Sequence, residues 1–413
     1  MKPLRILYVV TTFPSVTETF IATQVADMID RGHDCIIFSY NSSTDAVVHQ
    51  LVTDYGLEKH TVTHFKNENS KWGILKGIFR FFCKHAFELN YKLLFSLLVP
   101  FSGSGKTVLR KAYWDMPVFL LRRKYDVVHC HFGFNGVKLA RLKKLGILNE
   151  ERCFVSFHGS DLTPSKVVEY RELYADLFIH FDGFTVNTPY LESILKRVHP
   201  NLKNVQILPV GFHEAYLKPY LDLPKSDVFT LVYCGRLMAL KGPDRALAIV
   251  ADLVQRGVVD IQLLMIGEGE EELNLKAQAL QLGIEKHIQW LGALSQEAVF
   301  GHMSAASVFI YTGRTEESTG RAETQGLVIQ EAQYFKLPVV FADVGGVKYG
   351  LIDGETGFLI AGNNLEAFVE KVLFLYQNPL VRKEMGARGH RWVQEHYRIQ
   401  KLDDVLVAMY YGS

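Results

Sequence analysis

Short runs of consecutive apolar residues alternate along the chain with longer segments in which apolar residues recur every three or four positions. The runs have the length of strands buried on both faces of a sheet, and the longer segments have the period of amphipathic helices, as at 18–31, 243–256 and 270–282. The predicted strands form two series: 6–10, 35–40, 127–131, 153–157, 183–186 and 205–208, and then 229–234, 261–266, 288–291, 308–311 and 339–342. This alternation predicts an α/β protein with two parallel sheets covered by helices.

A polar segment with two prolines, residues 218–227, separates the two series of strands. Polar, proline-containing segments are typical of linkers between domains. We therefore expect a first domain over 1–217 and a second over 228–395. Ligands of doubly wound domains bind beyond the carboxyl ends of the strands, so two facing domains would share a site in the cleft between them.

The composition is that of an ordinary globular protein, since 48% of the residues are apolar and 22% are charged. Lys and Arg number 45 against 44 Asp and Glu, so no global field draws the protein to nucleic acid. Five scattered cysteines without a C-x-x-C pair favour a reducing, cytoplasmic compartment over a disulfide framework or a zinc cluster. The apolar run at 6–10 is too short for a signal peptide, and the run at 93–101 is too short for a membrane span.

The segment 71–111 departs from this balance of charge. It carries eight basic residues and one acid, Glu88, with aromatic residues between them. Basic residues that alternate with aromatic rings on helices are typical of segments that rest on an anionic membrane surface. The alternative interpretation is a solvated basic face whose aromatic side chains pack into the first domain.

Two glutamates in the second half, Glu323 and Glu331, stand eight residues apart on either side of Gly326. Eight residues are about 2.2 helical turns, so Glu323 would lie in a loop and Glu331 two turns inside the following helix. The backbone N–H groups at the start of that helix, from Gln325 to Val328, would be free to bind a diphosphate. By spacing alone, the alternative is an ordinary pair of surface glutamates.

Two cations follow the strand 229–234 after a glycine: Arg236 and Lys241 come after Gly235 and precede a helix that begins at Pro243. Cations just beyond a strand end could neutralise a diphosphate leaving group without a metal. A salt-bridged loop is the alternative interpretation.

His158 follows the strand 153–157 and precedes Gly159 and Asp161. A histidine at the carboxyl end of a strand lies where ligands bind in such sheets. Its possible roles are a hydrogen bond to a sugar hydroxyl, a contact to phosphate, or an orientation fixed by Asp161. A structural cap of the strand is the alternative.

Two further patterns do not complete a known site. Residues 103–107 resemble a phosphate-binding P-loop, but Pro100 stands where that motif requires a glycine, and no strand precedes it. His129 and His131 share one face of a strand, with no third metal ligand close in sequence. We therefore predict neither a nucleoside triphosphatase nor a metal site.

Taken in order, these motifs resemble those of the retaining, nucleotide-sugar-dependent glycosyltransferases of family four, which have the GT-B fold. The resemblance covers nearly the whole chain and rests on the segments 128–133, 157–161, 207–211, 235–242, 266–270, 323–331, 345–346 and 352–358. The segments 13–21 and 31–33 are similar to the branch that builds bacterial exopolysaccharides such as colanic acid.

This resemblance implies two Rossmann-like domains and a helix over 396–413 that crosses back onto the first. It also implies that Glu331 binds the donor ribose, that Glu323 binds a hydroxyl of the transferred sugar, and that His158 lines the reacting centre. The resemblance implies that the diphosphate is bound by Arg236, Lys241 and the backbone of Gln325, Gly326, Leu327 and Val328. The other donor-binding positions that it implies are Gly235, Asp161 and Gly211.

Enzymes of this family keep the anomeric configuration, and their usual form needs no divalent ion. The leaving phosphate would act as its own base, with the cations and the helix dipole stabilising its charge. The chain departs from the family at 11–15, where many members have a Gly-Gly loop, and at His213, where an Asp is usual. The polar loop 313–322 before Glu323 could reach the acceptor or be mobile.

The function implied is transfer of a hexose from a nucleoside-diphosphate sugar, with a uridine donor preferred, to a lipid-linked oligosaccharide in exopolysaccharide, capsule or O-antigen synthesis. The enzyme would lie at the inner face of the plasma membrane, with no metal, cofactor or nucleic acid. Two alternatives stay open: a GDP-mannose-dependent transferase of the same fold, and a non-catalytic scaffold that binds sugar nucleotides. An epimerase or a phosphorylase would need a catalytic acid pair or a cofactor lysine, which we do not find.

Overall fold

Two parallel sheets, one in each half of the chain, form the framework of the protein. The computed structural model describes residues 2–15, 18–43, 49–65, 71–98, 104–148 and 150–412. The strands of the first sheet are β1 (Arg5–Phe13), β2 (Asp34–Ser42), β3 (Thr61–Thr63), β4 (Val127–His131), β5 (Arg152–Phe157), β6 (Gly183–Val186) and β7 (Val205–Ile207). Those of the second are β8 (Phe229–Cys234), β9 (Ile261–Ile266), β10 (Ile288–Gly292), β11 (Val308–Tyr311), β12 (Val339–Ala342) and β13 (Gly357–Ile360).

Helices connect the strands and cover the faces of both sheets. Those of the first half are α1 (Thr19–Asp30), α2 (Gln50–Asp54), α3 (Lys71–Lys84), α4 (Tyr91–Leu98), α5 (Ser104–Asp115), α6 (Gly133–Lys144), α7 (Val167–Leu173), α8 (Ala175–His180), α9 (Pro189–Val198) and α10 (Glu214–Leu217). Those of the second half are α11 (Pro243–Gln255), α12 (Glu272–Gln281), α13 (Gln296–Ala305), α14 (Leu327–Tyr334), α15 (Leu365–Gln377), α16 (Pro379–His396) and α17 (Ile399–Tyr411).

Each sheet reverses its strand order at one point. The first runs β3-β2-β1-β4-β5-β6-β7, so the order reverses between β1 and β4; the second runs β10-β9-β8-β11-β12-β13 and reverses between β8 and β11. A crevice opens beyond the strand ends at such a point, because the two loops there leave toward opposite faces. The candidate residues Arg236 and Glu323 lie in the loops after β8 and β11, which places both at the second reversal.

The prediction of two doubly wound parallel sheets is confirmed, and every predicted strand corresponds to an observed one, with its ends displaced by at most three residues. The sequence analysis missed β3 and β13. Both lie at sheet edges and are only 3 and 4 residues long. A strand paired on one side with so few residues leaves little apolar periodicity to detect.

The last helix, α17, lies on the first domain. Leu406, Val407 and Tyr410 pack with Ile6 and the other residues of β1 that share its face. The helix predicted over 396–413 is observed over Ile399–Tyr411, and it is separate from α16, which ends at His396. The backbone at the break pairs with the first domain instead: Phe212 N–H donates to Tyr397 O at 3.0 Å, and Ile399 N–H donates to Phe212 O at 3.0 Å.

The segment 218–227 joins the two sheets and lies against the second. Ser226 N–H donates to Ala305 O at 2.8 Å, and Lys225 Nζ donates to Ala306 O at 3.1 Å. The chain therefore reaches the second domain before β8 begins.

An apolar surface is exposed on α3, on α4 and on the turn between them. Trp72, Phe79, Phe87 and Phe95 are 70–100% exposed, whereas Phe81 is buried in the first domain. The interpretation in which the aromatic side chains pack inward therefore applies to Phe81 and not to these four. In the described part of the chain, no helix is both long enough and apolar enough to cross a membrane.

Candidate functional site

A cleft of about 620 Å³ separates the two domains at the carboxyl ends of their strands. Its first-domain wall includes Phe20, His158 and Tyr190. Ten of the residues predicted from the sequence lie on its walls: His158, Gly235, Arg236, Lys241, Glu323, Gln325, Gly326, Leu327, Val328 and Glu331. The fold therefore brings residues from distant parts of the sequence to one site, although their individual roles stay predictions.

Glu323 lies in the loop before α14, in contact with three hydrogen-bond donors. Its Oε2 accepts from Lys241 Nζ and from the Tyr311 hydroxyl at 3.3 Å, and its Oε1 accepts from Thr324 N–H at 3.2 Å. Burial alone would raise the pKa of Glu323, but the charge of Lys241 and these hydrogen bonds outweigh it and lower that pKa. Glu323 is therefore an ionised acceptor, suited to a hydroxyl donor.

Glu331 lies inside α14 and is 7% exposed. Its Oε1 accepts one hydrogen bond, from Gln296 Nε2 at 2.9 Å. Burial raises the pKa of Glu331 to about 7, and the bond from Gln296 opposes this only in part. The two glutamates thus differ in ionisation, because Glu323 is paired with Lys241 and Glu331 has no cationic partner among the described residues.

The N-terminus of α14 opens into the cleft between the two glutamates. Gly326 caps it with φ 76°, a left-handed conformation that favours glycine, and a Cβ there would lie 2.8 Å from Ile329 Cδ1. Among the described residues, none accepts a hydrogen bond from the N–H groups of Gly326, Leu327 or Val328. These free donors and the helix dipole form a surface for an anion.

The two cations after β8 have different surroundings. Arg236 is exposed on the cleft wall, and no side chain of the described residues pairs with it. Lys241 instead forms an ion pair with Glu323. The expectation that both cations bind a diphosphate stays a prediction. In this structure Lys241 is paired with Glu323, and Arg236 is not paired with a described side chain.

His158 lies where β5 ends, with its Nε2 3.0 Å from His131 Nδ1. The ring of Phe20 packs against it, with 4.6 Å between centroids, and Phe20 also lines the cleft. Burial lowers the pKa of His158 to about 3, so its imidazole is neutral at physiological pH.

Asp161 does not bond the His158 ring and does not line the cleft, so its contact with the donor stays a prediction. Its buried carboxylate accepts from three backbone N–H groups: Gly133 at 2.7 Å, Gly159 at 2.9 Å and His158 at 3.1 Å. These bonds fix the loop after β5 onto the start of α6. Asp161 therefore shapes the backbone that carries His158.

Gly211 also lies outside the walls of the cleft, and its predicted contact with the donor stays a prediction. A Cβ at Gly211 would lie 2.7 Å from both Leu402 Cδ1 and Tyr397 O, so the glycine allows the chain to cross back closely over this turn. The neighbouring Val210 lines the cleft instead. Its N–H and C=O bond the side-chain amide of Gln325, each at 2.7 Å.

Thr324 is a contact point between the domains that the sequence analysis missed. Its hydroxyl donates to His158 O at 3.0 Å and accepts from Asn187 Nδ2 at 3.1 Å. Thr188 Oγ1 donates to Thr324 O at 2.8 Å. A Cβ at Gly159, which has φ 114°, would lie 2.3 Å from Thr324 Cγ2, so this close approach requires glycine. No motif marks these residues, because only the packing of the domains brings them together.

The polar loop 313–322 is held between the two domains. Ser165 N–H donates to Thr319 O at 3.1 Å, and the Tyr190 hydroxyl donates to Gly320 O at 3.4 Å. The sequence left open whether this loop reaches the acceptor or is mobile, and these contacts do not favour mobility. Within the described ranges, no group of three or more His, Cys, Asp or Glu side chains is arranged to hold a metal ion.

Comparison with known proteins identifies the family and the relatives that this chain resembles. Residues 222–392 match the family of group 1 glycosyl transferases. Over 381 residues, the chain is 22% identical to the Escherichia coli K12 protein WcaL, named as a colanic acid biosynthesis glycosyltransferase, with 89% of this chain and 90% of that protein covered. These similarities indicate a glycosyltransferase with the GT-B fold that resembles the enzymes of family 4.

Two further similarities concern the donor and the fold. The glycosyltransferase is 23% identical over 292 residues to a GDP-mannose-dependent alpha-(1-6)-phosphatidylinositol monomannoside mannosyltransferase of Mycobacterium tuberculosis, which covers 69% of this chain and 76% of that protein. Its fold matches the crystal structure of Anabaena Alr3699/HepE in complex with UDP, with a TM-score of 0.70, 14% identity, and 99% and 100% of the two chains covered.

Proposed function

We propose that this glycosyltransferase moves a hexose, with retention of configuration, from a nucleoside-diphosphate sugar to a lipid-linked glycan in exopolysaccharide, capsule or O-antigen synthesis. The observation that carries the proposal is the free N-terminus of α14, which opens into the cleft between Glu323 and Glu331. A diphosphate at that N-terminus would have one carboxylate on either side, for its nucleoside and for its sugar.

Different residues of the cleft bind different parts of the donor. Glu331 accepts hydrogen bonds from ribose hydroxyls, and Glu323 accepts one from a hydroxyl of the transferred sugar. The diphosphate lies on the N–H groups of Gly326, Leu327 and Val328, with Arg236 as the mobile counter-charge. His158 lies on the opposite wall, where the reacting sugar meets the first domain.

Transfer then proceeds on one face of the sugar. The bond between the anomeric carbon and the phosphate oxygen breaks, and its electron pair goes to the phosphate. The acceptor hydroxyl forms the new bond on the same face, and its proton goes to a phosphate oxygen. Arg236 and the α14 dipole stabilise the charge that develops, so we propose that no divalent ion is needed.

A uridine donor is favoured by the likeness to the colanic acid enzyme, which spans most of the chain. The GDP-mannose-dependent relative supports the alternative of a guanosine donor. Both donors carry the same ribose and diphosphate, so the contacts proposed for Glu331 and α14 are common to the two.

A thermal-shift panel with UDP, GDP and ADP, each with and without its sugar, tests the donor site. A ligand at 100 times its Kd stabilises the folded state by about 2.7 kcal/mol, which is a readily measured shift. We expect one nucleotide to raise the Tm of the wild type, and Glu331→Ala to lose that rise. Glu370→Ala, an exposed glutamate on α15, is the matched control and should keep it.

The outcomes separate the alternatives. A shift with GDP alone identifies the guanosine donor. Binding of a sugar nucleotide without slow release of its nucleoside diphosphate over hours favours the non-catalytic scaffold. The transferase proposal fails if no nucleotide shifts the Tm.

The first domain carries a surface suited to the membrane on which a lipid-linked acceptor would lie. We propose that the exposed rings of Trp72, Phe79, Phe87 and Phe95 insert at the level of the lipid headgroups. The exposed side chains of Lys76, Arg80, Lys84 and Lys92 lie on the same helices, where they would attract anionic lipid.

A further inference from the structure

Three histidines form a stacked column behind the cleft. His129 and His131 lie on β4, and alternate residues of a strand share one face. Their ring centroids are 5.0 Å apart at an interplanar angle of 7°, and those of His131 and His158 are 5.2 Å apart at 15°. The column thus runs from the interior of the first domain to the residue that lines the cleft.

Hydrogen bonds couple the protons of His131 and His158. His131 Nδ1 and His158 Nε2 are 3.0 Å apart, and one of these two nitrogens must carry the hydrogen of their bond. When His131 donates, the hydrogen of the neutral His158 ring lies on Nδ1, and when His131 accepts, it lies on Nε2. The tautomer of His131 therefore decides the tautomer of His158.

The other nitrogen of His131, Nε2, is buried and has no partner among the described residues. His131 lines a cavity of about 20 Å³ together with Gln24, Ser156 and Thr185. A cavity of this volume is large enough for one water molecule. Gln24 Nε2 donates to Asp403 at 3.4 Å, and Gln24 Oε1 is a second buried atom without a described partner. A water that donates to Gln24 Oε1 and bonds His131 Nε2 would satisfy both atoms.

We propose that His131 is a positioning residue, which fixes the nitrogen of His158 that carries the proton through the bond between His131 Nδ1 and His158 Nε2. In this proposal His131 does not touch the substrate. The consequence for transfer rests on the proposed function. Since Nε2 of His158 bonds His131, only its Nδ1, a buried atom without a partner among the described residues, is left for the reacting sugar, and the tautomer decides whether Nδ1 donates or accepts.

Burial supports this arrangement, because it lowers the pKa of both His131 and His158 far enough to keep the two rings neutral. A neutral imidazole has one donor and one acceptor nitrogen, whereas a charged one has two donors and carries no tautomer. The bond between His131 and His158 therefore couples the tautomers of two neutral rings and does not couple their charges.

The test is the ¹⁵N spectrum of histidine rings in protein labelled only at histidine. His131→Phe keeps a stacked ring and removes both nitrogens, whereas His131→Asn keeps a polar atom near the position of Nδ1. We expect His158 to show one tautomer in the wild type and in H131N, and an average of two in H131F.

His287 of the second domain is the internal control, since its Nδ1 lies 2.9 Å from Ile261 O and far from the column in sequence. Its signals should stay unchanged in every variant that folds. Identical His158 signals in wild type and H131F would overturn the proposal. The spectrum needs no donor or acceptor, so this outcome is independent of whether the protein transfers a sugar.

A second measurement connects the column to catalysis. H131F should lower kcat while the thermal shift with the donor nucleotide stays at the wild-type value, because His131 lies outside the donor site. A loss of donor binding in H131F, with kcat unchanged at saturation, would assign His131 to the structure of the cleft and not to the positioning of His158.

Discussion

At the scale of single residues, the two glutamates of the cleft differ in ionisation near neutral pH. Lys241 and two further donors keep Glu323 ionised, whereas Glu331 has only the amide of Gln296 and a pKa raised by burial to about 7. A ribose hydroxyl donates its hydrogen bond best to the ionised form. Donor affinity should therefore respond to the pH at which Glu331 titrates.

We predict that the nucleotide Kd rises as the pH falls through 7. A carboxyl with a pKa of about 7 is mostly protonated at pH 6 and mostly ionised at pH 8, so the affinity should fall roughly tenfold between them if only the ionised form binds. Isothermal titration calorimetry across this range measures it. Glu331→Gln should give a flat profile, and an equally steep profile in that variant would contradict the assignment.

Residue spacing predicted that Glu323 lies in the loop and Glu331 inside the following helix, because both belong to one loop and helix. Glu331 lies about one turn inside α14 and not two, since the helix begins at Leu327. Spacing did not predict the contacts of Asp161, whose carboxylate bonds Gly133 across the neighbouring strand end. It also missed Thr324, whose partners lie in the other domain. Contacts within one element follow from spacing, whereas contacts between elements depend on strand order and on the docking of domains.

At the scale of elements, α3 and α4 show how far an apolar pattern determines burial. Both helices have an apolar face, yet Phe81 is in the core while Trp72 and Phe95 are exposed. The sequence gives the same residue types in both places. Only the position of the helices beside the first sheet decides which rings are covered.

We predict that this surface binds vesicles of phosphatidylglycerol and phosphatidylcholine but not vesicles of phosphatidylcholine alone. Changing Lys76, Arg80, Lys84 and Lys92 to Gln should abolish flotation with the anionic vesicles, since each basic residue near the surface contributes about 1 kcal/mol. Changing Trp72, Phe79, Phe87 and Phe95 to Ser should abolish it as well.

The matched control for the aromatic variant changes four exposed apolar residues of the second domain, Val259, Leu273, Leu280 and Leu380, to Ser. This control should float like the wild type. Undiminished flotation of both first-domain variants would exclude the surface as a membrane contact.

At the scale of the whole molecule, the domains are joined by more than the segment 218–227. The loop before α14 docks on the first domain, and α17 returns to cover the face of β1. In this way the end of the chain contributes to the domain formed by its beginning. The hydroxyl of Tyr410 reaches His129 Nδ1, the innermost ring of the histidine column.

We predict that Tyr410→Phe lowers the free energy of unfolding by about 1–3 kcal/mol, because His129 Nδ1 loses its partner in a buried position. Urea unfolding measures the change. Tyr411→Phe removes a hydroxyl at the surface and should cost less than about 0.5 kcal/mol. Equal losses of unfolding free energy in the two variants would show that the buried hydrogen bond stabilises the protein no more than the surface one.

The return of α17 also determines when the first domain can be finished during synthesis. Ile6, Tyr8 and Val10 precede Leu406, Val407 and Tyr410, which cover the same face, by about 400 residues. Until α17 has been made, one side of the first sheet lacks its cover and remains available to chaperones or to other nascent chains. The first domain is therefore completed only after the second domain has been made, although most of the first domain precedes the second in sequence.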